Sequence, residues 1–524
     1  MSVGLAFMVW YRKDMTNITL NNPLFDSLFG HHDNKNTPFI HVYGERTITH
    51  KEFLFLVGRM ANAISSLGVS TGDRLVLQAE KSPYCLAVYA ACMQSGIIFL
   101  PLNNAYTATE VSYFVADSGA KILICDPAYE RALIDLKDEF GILLKTLSLD
   151  GQGSFGDLVA TMPNQFCTVS RHIKDLAAIL YTSGTTGRSK GAMLTQENLL
   201  SNAETLKDYW KFDDQDVLLH ALPIFHTHGL FVASNIILLA GGSMIFLNKF
   251  DLDEVIGSLP RVTTMMGVPT FYVRLLEDKR LTSELTNHMR LFISGSAPLL
   301  SETHTRFLKL TGHHILERYG MTETNMNTSN PYCGERRPGT VGFPLPGVEI
   351  KITDSDTGKT LTKNKVGQIE VRGPNVFKGY WGMEEKTKEE LKADGFFITG
   401  DLGLIDSDGY IEIVGRDKDL IISGGYNIYP KEIELLLDLQ AGVLESAVVG
   451  IPHPDFGETG VGFLVCKEGF DLETTTVLEA LSDTLAAFKR PHKLIVLDAL
   501  PRNTMGKVQK NQLREQYKNL YLKP

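Results

Sequence analysis

The stretch Thr182-Ser-Gly-Thr-Thr-Gly-Arg-Ser-Lys190 brings hydroxyl side chains, two glycines and a terminal lysine into one short run. Exposed backbone N–H groups at Gly184 to Gly187 suit a nest for phosphate oxygens, to which Ser183, Thr185, Thr186 and Lys190 add donors and charge. It is not a Walker A loop, because Gly184 lacks the Gly-Lys-Ser/Thr that must follow at fixed spacing. Further along, Tyr319-Gly-Met-Thr-Glu323 sets a hydroxyl beside a carboxylate. Lys507 is a flexible ammonium on a glycine-preceded loop, able to stabilise charge that develops in a reaction. Taken singly, each has a plainer reading: Glu323 as a solvated loop carboxylate, Lys507 with Lys510 and Arg514 as a basic surface tail. His226-x-His228 invites a metal reading that no neighbouring Asp, His or Glu completes. Arg274, inside an apolar helical pattern, either reaches the surface along its stem or is a buried cation in need of an anionic partner.

These residues need elements to hold them. From about residue 47 to 420, helical and strand patterns alternate, which implies parallel strands with crossover helices in two related layers. Thr49 opens a helix reaching Leu67, followed by strand Arg74–Ala79, helix Ser82–Gln94 and a buried strand to Pro101. Leu176–Tyr181 is a strand that runs straight into the Thr182–Lys190 turn, and Thr195 caps a helix reaching about Trp210. The pattern repeats through His228–Ala240, Pro269–Leu276, Leu291–Ser294 and Thr303–Leu310. Short strands and Gly/Pro turns from about 338 to 415 predict a β-rich subdomain. The α/β class follows, with a boundary at the charged link Gly415-Arg-Asp-Lys-Asp419: an N-terminal domain over 24–417 and a small, mobile α+β domain over 418–524. Residues 1–23 read as a poorly ordered extension.

Composition narrows the function. The chain has 524 residues, 44% hydrophobic and 21% charged, an ordinary globular balance that excludes a disordered chain. Its net charge of −10 argues against nucleic acid as a partner, without touching what a few placed cations do in a cleft. Six scattered cysteines form no CxxC and read as reduced thiols. No run is apolar for long enough to span a membrane, and no signal peptide is evident. A cytoplasmic location is expected.

Tyr181–Lys190, Tyr319–Glu323, Thr399-Gly-Asp401, Gly415-Arg416 and Pro501-Arg-Asn-Thr-Met-Gly-Lys507 occur in the order seen in adenylate-forming enzymes. The chain resembles these acyl-CoA synthetases, peptide-synthetase adenylation domains and luciferases from about residue 24 onward. The resemblance implies ATP and coenzyme A as co-substrates and Mg²⁺ as cofactor, with a carboxylate attacking the α-phosphorus of ATP and pyrophosphate leaving. Thr182, Ser183, Gly184, Thr185, Thr186, Gly187 and Lys190 would hold the β- and γ-phosphates, Thr322 the α-phosphate and Glu323 the Mg²⁺. Gly295, Ser296 and Ala297, with Tyr319, Gly320 and Met321, would line the nucleotide. Asp401 would accept from the ribose hydroxyls, aided by Arg416, and Lys507 would catalyse adenylation. Lys418 matches the hinge about which the small domain rotates. Ser423, Gly424 and Gly425 match the segment that lines the pantetheine tunnel. A lysine acetyltransferase acting on Lys507 is a further expected partner.

For the acid, His226-Thr-His-Gly-Leu-Phe-Val, Gly267–Arg274 and Tyr319–Pro331 resemble malonyl-CoA synthetases in particular. That resemblance sets His226 against the acyl pocket, pairs Arg274 with a distal carboxylate, and puts Thr227, Ser296 and Met326 around the malonyl group. A buried Arg274 would also discriminate against monocarboxylates, which leave it unpaired. Malonate is thus the expected acid. Methylmalonate, acetate or propionate, a carrier-protein-loading adenylation enzyme and a non-enzymatic ATP-binding protein are the alternatives.

Overall fold

The computed structural model describes residues 21–521, apart from 34, 43, 45, 183–188, 424–425, 484 and 504–505. Ser183 to Gly187, Gly424, Gly425 and nearly all of the expected N-terminal extension therefore lie outside the described residues. Contacts group the chain into two compact units. One holds Met1–Ile40, Thr47–Tyr181 and Leu194–Leu200, the other His41–Arg46, Thr182–Met193 and Ser201–Pro524.

In the first unit, five parallel strands run in the order Leu143–Thr146, Ile122–Cys125, Arg74–Gln78, Ile98–Pro101, Leu176–Thr182. Their sequences are near-continuous apolar runs, as expected of strands covered on both faces. The crossover helices start where the sequence signals say. Thr49 and Glu52 form a reciprocal capping box for His50–Ser66, and Thr107 and Glu110 do the same for Ala108–Ser118. Ser82 caps Pro83–Ser95, which stops at Gly96 in the left-handed conformation. The fold is already built at Asn22. Its side chain caps Pro23–Phe29 and donates from Nδ2 to the carbonyls of Met93 and Val169.

In the second unit, Ser243–Phe246, Val217–His220, Thr264–Gly267, Leu291–Ser294 and Leu316–Met321 form a parallel sheet. Asn325–Ser329 and Phe343–Pro344 extend it antiparallel. Helices Pro269–Leu276 and Ser301–Thr311 pack on it through a core that includes Met265, Tyr272, Leu275, Phe292 and Phe307. Burying side chains of this size contributes roughly 1.5–3 kcal/mol each. The β-rich segment is a four-stranded antiparallel sheet of Glu349–Thr353, Gly367–Arg372, Phe397–Ile405 and Ile411–Arg416. The C-terminal segment has its own sheet, with Val443–His453 and Gly457–Cys466 at its centre and Lys493–Leu497 parallel to the latter. Helices Pro430–Asp438 and Lys510–Tyr517 accompany it. The α/β class with a small α+β C-terminal part is therefore as expected.

One element differs. The segment expected as a single helix over His228–Ala240 is π-helical over His228–Ser234 and α-helical only from Asn235. Side chains gather on the Gly229 carbonyl there: Ser234 Oγ donates to it at 2.9 Å, and His220 Nε2 lies 2.9 Å away. A Cβ at Gly229 would fall 2.1 Å from the Pro223 oxygen, so only glycine fits there. Such π segments recur at functional sites.

Candidate active site

The antiparallel pairing of Leu316–Met321 with Asn325–Ser329 forces the chain through a tight turn, and that turn carries Thr322 and Glu323. Gly320 makes the turn fit, because a Cβ there would lie 1.9 Å from the Asn325 oxygen. Glu323 is buried and accepts a hydrogen bond from the Tyr380 hydroxyl at 3.0 Å. The same hydroxyl lies 2.6 Å from Oε2 of Glu390, whose carboxylate pairs with Lys190 at 3.2 Å. Lys190 Nζ also sits over the Tyr380 ring, 4.1 Å from its centroid. Burial raises the pKa of Glu323, while Tyr380, Lys190 and Arg416 oppose the shift. Lys190 and Glu323, distant in sequence, are thus joined through Tyr380 and Glu390.

Lys190 opens a short strand, and the backbone around it is pinned to the segment 378–381. Gly379 O accepts from Met193 N, and Trp381 N donates to Gly191 O. Among the described residues, no group of three or more His, Cys, Asp or Glu side chains is placed to hold a metal ion. One buried carboxylate suits an ion that keeps waters and substrate phosphates as its other ligands, which is the habit of Mg²⁺.

A second cluster forms on Asp401. This buried carboxylate receives the Tyr319 hydroxyl on Oδ2 at 2.5 Å, and Arg416 Nε lies 2.6 Å from Oδ1. Asp401 and Arg416 are register partners on adjacent strands, so the pairing is built into the sheet. Lys507 lies within the field of Arg416, Asp401, Lys418 and Asp419. Its side chain keeps access to solvent, yet surrounding packing first, and then the Arg416 and Lys418 cations, hold its pKa below the ordinary lysine value. Its loop is closed by Asn503, which accepts the Lys507 N–H on Oδ1 at 2.9 Å. The neighbouring Gly506 packs against Thr270, 3.4 Å from where its Cβ would stand. Lys418 is on the short turn Asp417–Asp419, which Arg514 pins through Asp419 at 2.9 Å.

The acyl-pocket candidates gather near the π-helix. Thr227 and His228 are buried, Ser296 Oγ lies 3.2 Å from His228 Nδ1, and burial pushes His226 down to about 4, leaving it neutral at pH 7. Ser296 adopts φ +72°, strained for a residue with a side chain. Met326 is buried on Asn325–Ser329, with its backbone held by Asn202.

Arg274 is not the buried cation the sequence left open. It is exposed, because Pro269–Leu276 turns Phe271, Tyr272, Leu275 and Leu276 to the core and Arg274 away from it. Its guanidinium lies 5.8 Å from the centroid of Phe250. It is one helical turn from Thr270, on the face that meets Gly506. Ser423 lies on the hairpin Ile421–Ser423/Tyr426–Ile428. Sequence reasoning missed Tyr380, Glu390 and Arg318. Arg318 stood next to a motif that drew attention, whereas Tyr380 and Glu390 carried no local signal.

Residues 31–381 match the family model described as AMP-binding enzyme, and 432–507 match the AMP-binding enzyme C-terminal domain. A feruloyl-CoA synthase from an Amycolatopsis species is 34% identical over 91% of this chain and 95% of its own. A malonate–CoA ligase from Arabidopsis thaliana is 33% identical over 88% of this chain and 81% of its own. The crystal structure of ATP-bound MatB from Rhodopseudomonas palustris superposes with a TM-score of 0.94 at 55% identity, covering 96% of this chain and all of that one. The apo form of the same protein gives 0.83. The chain belongs to the AMP-binding enzyme family, among its AMP-forming acyl-CoA ligases.

Proposed function

We propose that the protein joins malonate to coenzyme A through a malonyl-adenylate, releasing AMP and pyrophosphate. The observation that carries this reading is the contact of Gly506 with Thr270. It sets the Lys507 loop beside the helix whose next turn bears Arg274, which supports a reading in which Lys507 meets the reacting carboxylate and Arg274 the distal end of a short diacid. The relatives described as malonate–CoA ligases and the 55% identity to MatB support the same acid. The feruloyl-CoA synthase at 34% identity supports the acyl-CoA ligase chemistry without that acid.

In this reading Lys190 and the turn before it draw in the β- and γ-phosphates, while Thr322 meets the α-phosphate. Glu323 would hold the Mg²⁺, which neutralises phosphate charge when bound. Asp401 and Arg416 orient the ribose. Lys507 donates to the oxygens where the acyl-phosphate bond forms. Neutral His226 and Thr227 bound the acyl group. For thioester formation, residues 418–524 turn about Lys418, withdrawing Lys507 and presenting Ser423, Gly424 and Gly425 to the pantetheine arm.

Pyrophosphate release measured across malonate, methylmalonate, succinate, acetate and octanoate tests the acid. Malonate should lead, with octanoate inert. Acetate ahead of malonate would overturn the substrate assignment and leave the ligase chemistry intact.

A further inference from the structure

Glu390 takes no part in the reaction outlined above, yet its carboxylate holds the lysine that the reaction gives to the phosphates. Both of its oxygens approach the Lys190 ammonium, at 3.2 and 3.3 Å. The pair is largely shielded, with side chains 12% and 22% exposed. Lys190 Nζ also lies over the Tyr380 ring. A carboxylate set this way offers the ammonium what two phosphate oxygens would offer it.

The seat of Glu390 is fixed by the chain before it. Thr387 Oγ1 accepts the Tyr380 N–H at 2.9 Å and donates to the Met383 carbonyl at 2.9 Å, which ties helix Glu384–Glu390 to Tyr380. A Cβ at Gly379 would fall 2.6 Å from Thr387 Cγ2, so the helix lies tight against that segment. Glu390 follows Thr387 by three positions and shares its face. Burial works against the Glu390 charge, but Tyr380, Lys386 and Lys190 outweigh it and hold its pKa below the ordinary glutamate value.

Other partners make the pairing exchangeable. Lys386 Nζ lies 3.1 Å from Oε1 of Glu390, and the Tyr380 hydroxyl 2.6 Å from Oε2. When Lys190 turns to a phosphate, the carboxylate keeps a cation and a hydroxyl, so no shielded charge is stranded. Lys190 is less well provided. Among the described residues, Glu390 is the only carboxylate paired with it.

We propose that Glu390 is a specificity-determining residue of the phosphate site, an internal anion that competes for Lys190. It holds the ammonium until a triphosphate takes it, and takes it back as pyrophosphate leaves. ATP wins the exchange because its ribose is held at the same time by Asp401 and Arg416, and linked contacts reinforce one another. Pyrophosphate has lost that second hold. This assignment rests on the reading above in which Lys190 meets the β- and γ-phosphates.

The test measures the binding of inorganic pyrophosphate with Mg²⁺ by calorimetry, and KM for ATP. It uses the wild type, Glu390→Gln, Lys190→Gln and the double variant, with a melting curve for each. Glu390→Gln keeps the size of the side chain and an acceptor for Tyr380 while losing the charge. It should bind pyrophosphate roughly 10-fold more tightly, the scale of removing a charged hydrogen-bonding competitor. Its KM for ATP should fall with no gain in kcat. Lys190→Gln should weaken both ligands. Adding Glu390→Gln to it should change pyrophosphate affinity by less than about twofold, because the competitor acts only through Lys190. Pyrophosphate binding in Glu390→Gln that is no tighter than in the wild type overturns the assignment, whether or not the melting temperature falls. So does an equal tightening in the Lys190→Gln background, which marks a general loss of negative charge. Unchanged affinity for both ligands in Lys190→Gln overturns the phosphate role of Lys190 and this assignment together.

Discussion

The Tyr319 hydroxyl donates to Oδ2 of Asp401 at 2.5 Å, linking the parallel sheet to the antiparallel one. With Arg416 on the other oxygen, the carboxylate is fixed in orientation, yet each oxygen keeps a lone pair to accept from a neighbouring hydroxyl. Asp401→Asn removes the charge, loses the attraction of Arg416 and offers one acceptor in place of two. A charged hydrogen bond contributes about 1.5–3 kcal/mol, so KM for ATP should rise roughly 10- to 100-fold. Steady-state kinetics with ATP varied checks this. An unchanged KM would take the ribose role away from Asp401.

Burial first, and then Arg416 and Lys418 against Asp401 and Asp419, hold the Lys507 pKa below its ordinary value, so a ligand that brings negative charge is favoured there. Lys507→Ala should lower adenylate formation by roughly 100-fold or more, the scale of removing one donor aimed at developing charge. Thioester formation from supplied malonyl-adenylate should persist, because that step needs a thiol where the lysine stood. Single-turnover measurements of the two half-reactions separate them, and equal loss of both would remove the assignment.

How far the sequence carried this differs between fold and site. Helix starts were legible at Thr49, Ser82 and Thr195 because each is a local signal that accepts a backbone N–H about one turn on. The π-helix at His228 was not, since its cause is the close approach of Gly229 to Pro223 and the side chains of His220 and Ser234. In the site, Glu323 and Lys190 were visible as motifs, but their link through Tyr380 and Glu390 depends on a residue pair 200 positions apart. Arg274 shows the opposite failing. Apolar neighbours in sequence suggested burial, and the helix phase turned it outward.

That exposure sharpens what Arg274 does. Since nothing buried is lost, Arg274→Met should leave the melting temperature close to that of the wild type, as surface substitutions within about 0.5 kcal/mol do. KM for ATP should also hold. Its kcat/KM for malonate should fall roughly 10- to 100-fold if the guanidinium meets the distal carboxylate. Kinetics on malonate and acetate with this variant decide it. Intact malonate activity would remove Arg274 from recognition without touching the acid itself.

Asp438 gives a pH test of the C-terminal part. It ends helix Pro430–Asp438, where the helix dipole disfavours a carboxylate. Burial raises its pKa to about 6, and Glu434 and Glu445 add to the shift against the Ser446 hydroxyl, which donates to Oδ1 at 2.7 Å, and Lys431. The folded pKa therefore exceeds the unfolded one. The folded state holds this proton more tightly, so its contribution is complete below the unfolded value and is lost as pH rises through about 6. Asp438→Asn keeps an acceptor for Ser446 and never ionises. It should be more stable than the wild type at pH 8, by at most about 3 kcal/mol, and the advantage should shrink toward pH 5. Urea unfolding of both proteins across that range reads the difference, and a gap that does not change with pH would show that Asp438 titrates normally.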